Sequence, residues 1–142
     1  MVHTILVPTD GSPAAQAALR HALEIALDTG ASVYLLSVIE PRNPLVFGVS
    51  DTEDLEQAIG EMANSVLDSV DTGAVHMQTD IRRGEPVHEQ ILAVANEIDA
   101  DVIIMGQHGS SSLPEGIFGS TADRVARLAP IPVTITPPTE TT

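Results

Sequence analysis

A chain of 142 residues with twenty acidic residues against six arginines, and so a net charge of −14, is of single-domain size and an unsuitable partner for nucleic acid. Phosphate backbones are held by clustered cations, and here there is no lysine at all. No apolar run approaches the roughly 18 residues that a transmembrane helix needs, no basic-then-apolar leader is present, and the absence of cysteine precludes a disulfide framework, so a cytoplasmic protein without a membrane partner is expected.

The first apolar run, Val2 to Val7, reads as a strand buried on both faces and ended by Pro8. Asp10-Gly11-Ser12-Pro13 is then a turn into a helix, with Ser12 suited to the N-cap and Pro13 to the first helical position. Ala15, Ala18, Leu19, Ala22, Leu23 and Ala26 recur at helical spacing until Gly30 stops the helix. Ser32 to Ile39 is a second, nearly all-apolar strand, followed by a loop with two prolines. Ser50 and Glu53 have capping-box spacing and open a helix to about Val70, with Leu55, Ile59, Met62, Ala63, Val66 and Leu67 on one face.

Val75 to Ile81 alternates apolar and polar residues, the pattern of a strand exposed on one side at a sheet edge, and Arg82-Arg83-Gly84 closes it. Pro86 opens a third helix through Ile98, with Val87, Ile91, Ala95 and Ile98 inward. Val102 to Met105 is a buried strand, Ala122 to Ala129 a fourth helix, and Ile131 to Thr136 a last strand that Pro132 places at or near an edge. Residues 1–137 thus form one domain, and 138–142 read as a disordered tail. Strictly alternating strands and helices imply an α/β, Rossmann-like parallel sheet with helices on both faces.

Ligands of such sheets sit outside the carboxyl ends of the strands, where strand order reverses. The loops after the first and fourth strands carry the polar and glycine signatures. Gly106 and Gly109, with two residues between them, are followed nine residues later by Gly119-Ser120 and then Thr121 at a helix start. Small residues admit a ligand close to the backbone, and helix-start N–H groups favour an anion, so this loop suits phosphate. The alternative is a surface loop that uses glycines for turns and Ser120 as a cap. Asp10 could accept bonds from ribose hydroxyls or help hold a phosphate-bridging cation; an Asx-turn is its alternative. His108 could donate to a phosphate oxygen or stand exposed. The other histidines have no ligand spacing, so no zinc site is indicated; Arg82 and Arg83 could contribute charge to the crevice from the end of the third strand, but read rather as a solvated pair.

Several chemistries are excluded. There is no GxxxxGK[ST], no dinucleotide GxGxxG, no GxSxG elbow and no nucleophile–histidine–acid set. Receiver domains of this architecture need a catalytic lysine, which is missing. Binding is therefore expected over fast phosphoryl transfer.

Val2 to Ser12 (VHTILVPTDGS), Ala100 to Gly109 (ADVIIMGQHG) and Gly119 to Val133 (GSTADRVARLAPIPV) resemble the universal stress protein family over Val2 to Ile135. ATP-binding members of that family carry G-x2-G-x9-G-[ST], which Gly106, Gly109, Gly119 and Ser120 reproduce without a gap. The resemblance implies a five-stranded parallel sheet of order 3-2-1-4-5. It also implies Pro8, Thr9 and Asp10 on the adenosine side, Asp10 on the ribose, and backbone contacts from Val38 to adenine. Met105, Gly106, His108, Gly109, Gly119, Ser120 and Thr121 would enclose the rest of ATP, held with Mg²⁺ or Mn²⁺. A homodimer pairing strand Ile131–Thr136 with its copy is implied too; the sequence does not identify any other protein partner.

Two departures bear on the ligand. The loop after Gly109 is usually basic in the family and here reads Ser110-Ser111-Ser112, and Glu115 adds a negative charge. AMP, or a nucleotide-free dimer serving as an interaction module, are the alternatives those residues leave open. The acidic, lysine-free and threonine-frequent composition resembles that of salt-in halophiles such as haloarchaea, against the alternative of an ordinary acidic cytoplasmic protein.

Overall fold

A computed structural model describes residues 2–40, 52–69, 75–107 and 120–137. The elements follow in strict alternation. They are β1 (Thr4–Pro8), α1 (Pro13–Thr29), β2 (Ser32–Ile39), α2 (Thr52–Ser69), β3 (Met77–Arg83), α3 (Val87–Glu97), β4 (Val102–Gly106), α4 (Ser120–Leu128) and β5 (Val133–Thr136). All pairings are parallel and the order is β3-β2-β1-β4-β5. The expected fold class and strand order are both found.

Alternate residues of the central strands feed two cores. Ile5, Val7, Val33, Leu35, Ile39 and Ile104 pack with Leu19, Leu23, Leu55 and Ile59 of α1 and α2. Leu6, Leu36, Val38, Ile103 and Met105 pack with Ile91, Val94 and Val125 of α3 and α4. A strand buried on both faces is apolar at nearly every position, a buried polar residue such as Ser37 needing a partner, which is why β1, β2 and β4 show no alternation. At roughly 25 cal/mol per Å² of apolar surface removed from water, these two cores supply most of the favourable term in folding.

Local signals set the boundaries of α1. Ser12 Oγ accepts from the Ala15 N–H, Pro13 is the first helical residue, and Gly30 closes the helix at φ 77°, a left-handed position that glycine reaches without steric cost. The expected cap of α2 at Ser50 lies outside the described residues, as does the expected tail 138–142. β3 begins and ends two residues later than its alternation indicates, because its ladder with β2 runs on through Val38–Arg82 and Ile39–Arg83. The backbone of a parallel edge strand can keep pairing after its apolar pattern stops. β5 starts after Pro132, which has no N–H to give but whose carbonyl still accepts from the Ile103 N–H at 3.0 Å, extending the pairing with β4. None of the described helices is long and apolar enough to cross a membrane.

Candidate functional site

Strand order reverses between β1 and β4: β2 and β3 lie on one side of that pair, β5 on the other. The crevice outside the carboxyl ends of β1 and β4 is therefore where an open α/β sheet receives a ligand. Pro8 closes β1 and Gly106 closes β4, so the structure brings the two sequence-distant loops to neighbouring strand ends.

The turn after β1 is tightly determined. Thr9, only 7% exposed, donates its N–H to the Leu36 carbonyl at 2.8 Å, and its Oγ1 accepts from the Gly11 N–H at 3.2 Å. Asp10 Oδ1 accepts from the Ser12 N–H at 3.0 Å. This is the Asx-turn weighed against a ligand role, and it is present. It engages one carboxylate oxygen, Oδ1. Gly11 sits at φ 84°, so the chain turns there through a conformation closed to most side chains. The Gln16 amide donates to the Gly11 carbonyl at 3.1 Å, tying the turn down to α1.

At the end of β4, Met105 and, at the end of β2, Val38 are buried in the α3/α4 core at 6% and 7% exposure. What Val38 can offer beyond the sheet is thus its backbone. Gly106 meets α1 so closely that an added Cβ would stand 2.7–2.8 Å from Ala14 and Ala15 atoms. The Gln107 N–H is taken by the Thr136 carbonyl at 2.7 Å, which carries the β4–β5 ladder one residue past the strand. Thr136 Oγ1 lies 3.4 Å from both the Ala14 and Met105 carbonyls, close to the limit of a useful bond.

Ser120, exposed, and Thr121, half-buried, are the first residues of α4. A helix returning the chain from β4 to a parallel β5 must begin on the carboxyl side of the sheet, so its unpaired N–H groups face the same crevice. His108, Gly109 and Gly119 lie outside the described residues, as do Ser110 to Ser112 and Glu115. Of the expected site, Pro8, Thr9, Asp10, Val38, Met105 and Gly106 share neighbouring strand ends, with Ser120 and Thr121 opening the helix of the same unit. Among the described residues no group of three or more His, Asp or Glu side chains could hold a metal ion.

The first arginine at the end of β3 keeps partial exposure, as expected, but it is ion-paired rather than surrounded by water alone. Arg82 Nε lies 3.0 Å from Asp80 Oδ2, and its two terminal nitrogens bond both carboxylate oxygens of Glu97 at 3.2 and 2.8 Å. The Tyr34 hydroxyl donates to the same Asp80 oxygen at 2.7 Å. Burial acts to raise the Asp80 carboxyl, but the bonds from Tyr34 and Arg82 and the Arg82 charge hold it below the usual carboxylate range. The Glu97 carboxyl is lowered by its bond from Arg82. Arg82 is thereby committed to an edge-strand network.

Sequence reading missed Ser37. Its side chain is 1% exposed and its hydroxyl donates to the Thr9 carbonyl at 3.1 Å. The signal was available: one small polar residue interrupts the apolar run Leu35 to Ile39.

Comparison with known proteins supplies the remaining observation. A family model described as the universal stress protein family matches residues 1–137. The universal stress protein MJ0531 of Methanocaldococcus jannaschii is 31% identical over 137 aligned residues, covering 92% of this chain and 79% of its own length. Among solved structures, the hypothetical protein MJ0577, the subject of a structure-based assignment of biochemical function, superposes with a TM-score of 0.76 at 28% identity, covering 99% of each chain. A universal stress protein crystallised in complex with cAMP superposes with a TM-score of 0.72 at 25% identity, covering 97% of this chain and 98% of its own.

Proposed function

Because the chain belongs to the universal stress protein family, we propose that it is a stress-response protein that binds ATP in the crevice between the loops after β1 and β4 and signals through its occupancy. The observation that carries this reading is the juxtaposition of Pro8-Thr9-Asp10 and Met105-Gly106 at adjacent parallel strand ends, with α4 starting at Ser120 in the same unit. Gly106, Gly109, Gly119 and Ser120 also reproduce the spacing of the family's ATP-binding members.

Asp10 accepts ribose hydroxyls through Oδ2, since Oδ1 is held by Ser12. The Val38 backbone meets the adenine. The phosphates lie on N–H groups of the 106–109 turn and on Gly119, Ser120 and Thr121, with His108 as a further donor. With no lysine available and no described cluster of metal-ligating side chains, a Mg²⁺ or Mn²⁺ ion would be held largely by phosphate oxygens and water. The described residues fit nucleotide binding, with at most slow hydrolysis beside it. The protein acts in the cytoplasm as a homodimer joined through the Ile131–Thr136 edge, and its high acid content suits a high-salt interior.

A second reading, AMP as ligand, is favoured by Glu115 and the serines at 110–112, which reduce the attraction for a triphosphate. A structural neighbour holding cAMP is in keeping with a monophosphate. Acid denaturation of protein purified at high KCl, with chromatography of the released small molecules, separates these cases. Co-purifying ATP supports the first reading and AMP the second. A nucleotide-free preparation that also fails to bind either one on titration contradicts both and leaves the interaction module.

A further inference from the structure

A serine hydroxyl 1% exposed in the interior of β2 has to be used, because burying it unbonded costs more than the methyl of an alanine would. Ser37 uses it on the carbonyl of Thr9, the residue just past β1, at 3.1 Å. The Thr9 N–H is already bonded to the Leu36 carbonyl, and Thr9 Oγ1 to the Gly11 N–H. β2 therefore grips both sides of Thr9. The Thr9 carbonyl and the Asp10 N–H belong to one planar peptide unit, so holding that oxygen also sets the direction in which the chain enters Asp10. From Asp10 the constraint passes to the Ser12 N–H and the start of α1.

We propose that Ser37 is a positioning residue of the nucleotide site. Its hydroxyl orients the Thr9–Asp10 peptide, and so aims the Asp10 carboxylate at the ribose hydroxyls, giving the site its preference for ribonucleotides over analogues lacking them. The inference rests on the reading of Asp10 given above and adds the residue that sets its aim. Ser37 touches no ligand itself. Its side chain points into the α1/α2 core, since Leu35 and Ile39, which flank it on the same face, belong to that core. The link is short and dry, and a low local dielectric strengthens it.

The test is a calorimetric titration of wild type, Ser37→Ala and Ser37→Thr with ATP and with 2′,3′-dideoxy-ATP, beside thermal melting of each unliganded protein. Loss of one buried hydrogen bond that orients a ligand group is expected to weaken ATP binding by Ser37→Ala on the order of tenfold. The dideoxy analogue, which has no ribose hydroxyls to misalign, loses less than about twofold by the same reasoning. Ser37→Thr keeps the hydroxyl and restores the preference. Should Ser37→Ala fail to fold, Ser37→Cys preserves the volume with a weaker donor and shows the same ordering at smaller amplitude. Equal losses for both ligands, or none for either, overturn the role of Ser37 while leaving ATP binding intact. A wild type that binds neither ligand overturns the proposed function, and the inference with it.

Discussion

Gly106 ends β4 against the first turn of α1, where a Cβ on it would lie 2.8 Å from the Ala14 Cβ and 2.7 Å from the Ala14 carbonyl carbon. The first glycine of the phosphate-loop spacing is therefore demanded by helix packing as well as by any ligand. This contact couples the two halves of the site, because α1 begins at the turn that holds Asp10.

Gly106→Ala must push the backbone of α1, which cannot yield as a flexible side chain would. The expected cost is about 1–3 kcal/mol, with weaker nucleotide binding as the Asp10 turn shifts. Gly60→Ala is the contrast, since its Cβ meets nothing within 4 Å inside helix α2. That change should stabilise by about 0.5–1 kcal/mol. Urea unfolding of both variants checks the opposite signs; equal effects would show that the α1 contact does not constrain residue 106.

Asp101 gives the fold an acid sensitivity. Its Oδ2 accepts the N–H groups of His3 at 2.8 Å and Thr4 at 2.9 Å, and these two bonds, His3 first, lower its carboxyl below the ordinary value of 3.8. Because the folded value is the depressed one, the contribution is complete above pH 3.8 and is lost as pH falls through the folded value. Asp80 acts in the same direction through its bonds from Tyr34 and Arg82, against the effect of burial. Asp101→Asn should flatten the fall in melting temperature below that pH while changing little near neutrality beyond a constant offset. An unaltered acid limb would remove Asp101 from this role.

Arg82 bridges Asp80 and Glu97 with its side chain 34% exposed and that of Glu97 49% exposed. Half-solvated pairs of this kind contribute little, so Arg82→Met should cost no more than about 1 kcal/mol. Nucleotide affinity should not change, since the guanidinium is engaged by Asp80 of β3 and Glu97 of α3. A large loss of ATP affinity would show that Arg82 reaches the ligand after all.

The architecture was legible because two-sided burial leaves an unmistakable mark on β1, β2 and β4, and because Ser12, Pro13 and Gly30 announce the ends of α1. β3 was displaced by two residues because Arg82 and Arg83 are strand residues held by backbone pairing, which their side chains do not reveal. The candidate site is legible as two loops, those of Asp10 and Gly106, whose glycines and polar residues stand out from apolar surroundings and which follow neighbouring strands of the sheet. Three dependencies were not. The Arg82–Glu97 link joins residues fifteen apart in sequence, Ser37 to Thr9 spans 28 positions, and Gly106 against Ala14 depends on how closely a strand end approaches a helix. Contacts between distant positions leave no periodicity to read.

A net charge of −14 with no lysine predicts a strong response to salt. Self-repulsion among exposed carboxylates is screened as ionic strength rises, with the Debye length falling from about 10 Å at 0.1 M to about 3 Å at 1 M. Melting temperature should therefore climb with KCl over that range, and ATP affinity should climb with it as the acidic surface ceases to repel the triphosphate. Flat melting and binding curves would mean that the acids are already balanced within the fold.

The central claim is that the crevice between Asp10 and Gly106 binds adenine nucleotide, and isothermal titration of ATP into the purified protein at high KCl with Mg²⁺ tests it most directly. Saturable binding at one site per chain, weakened at least about tenfold by Asp10→Ala without loss of folding, is the predicted result. No heat of binding for ATP or AMP from the folded wild type, with or without Mg²⁺, would contradict it.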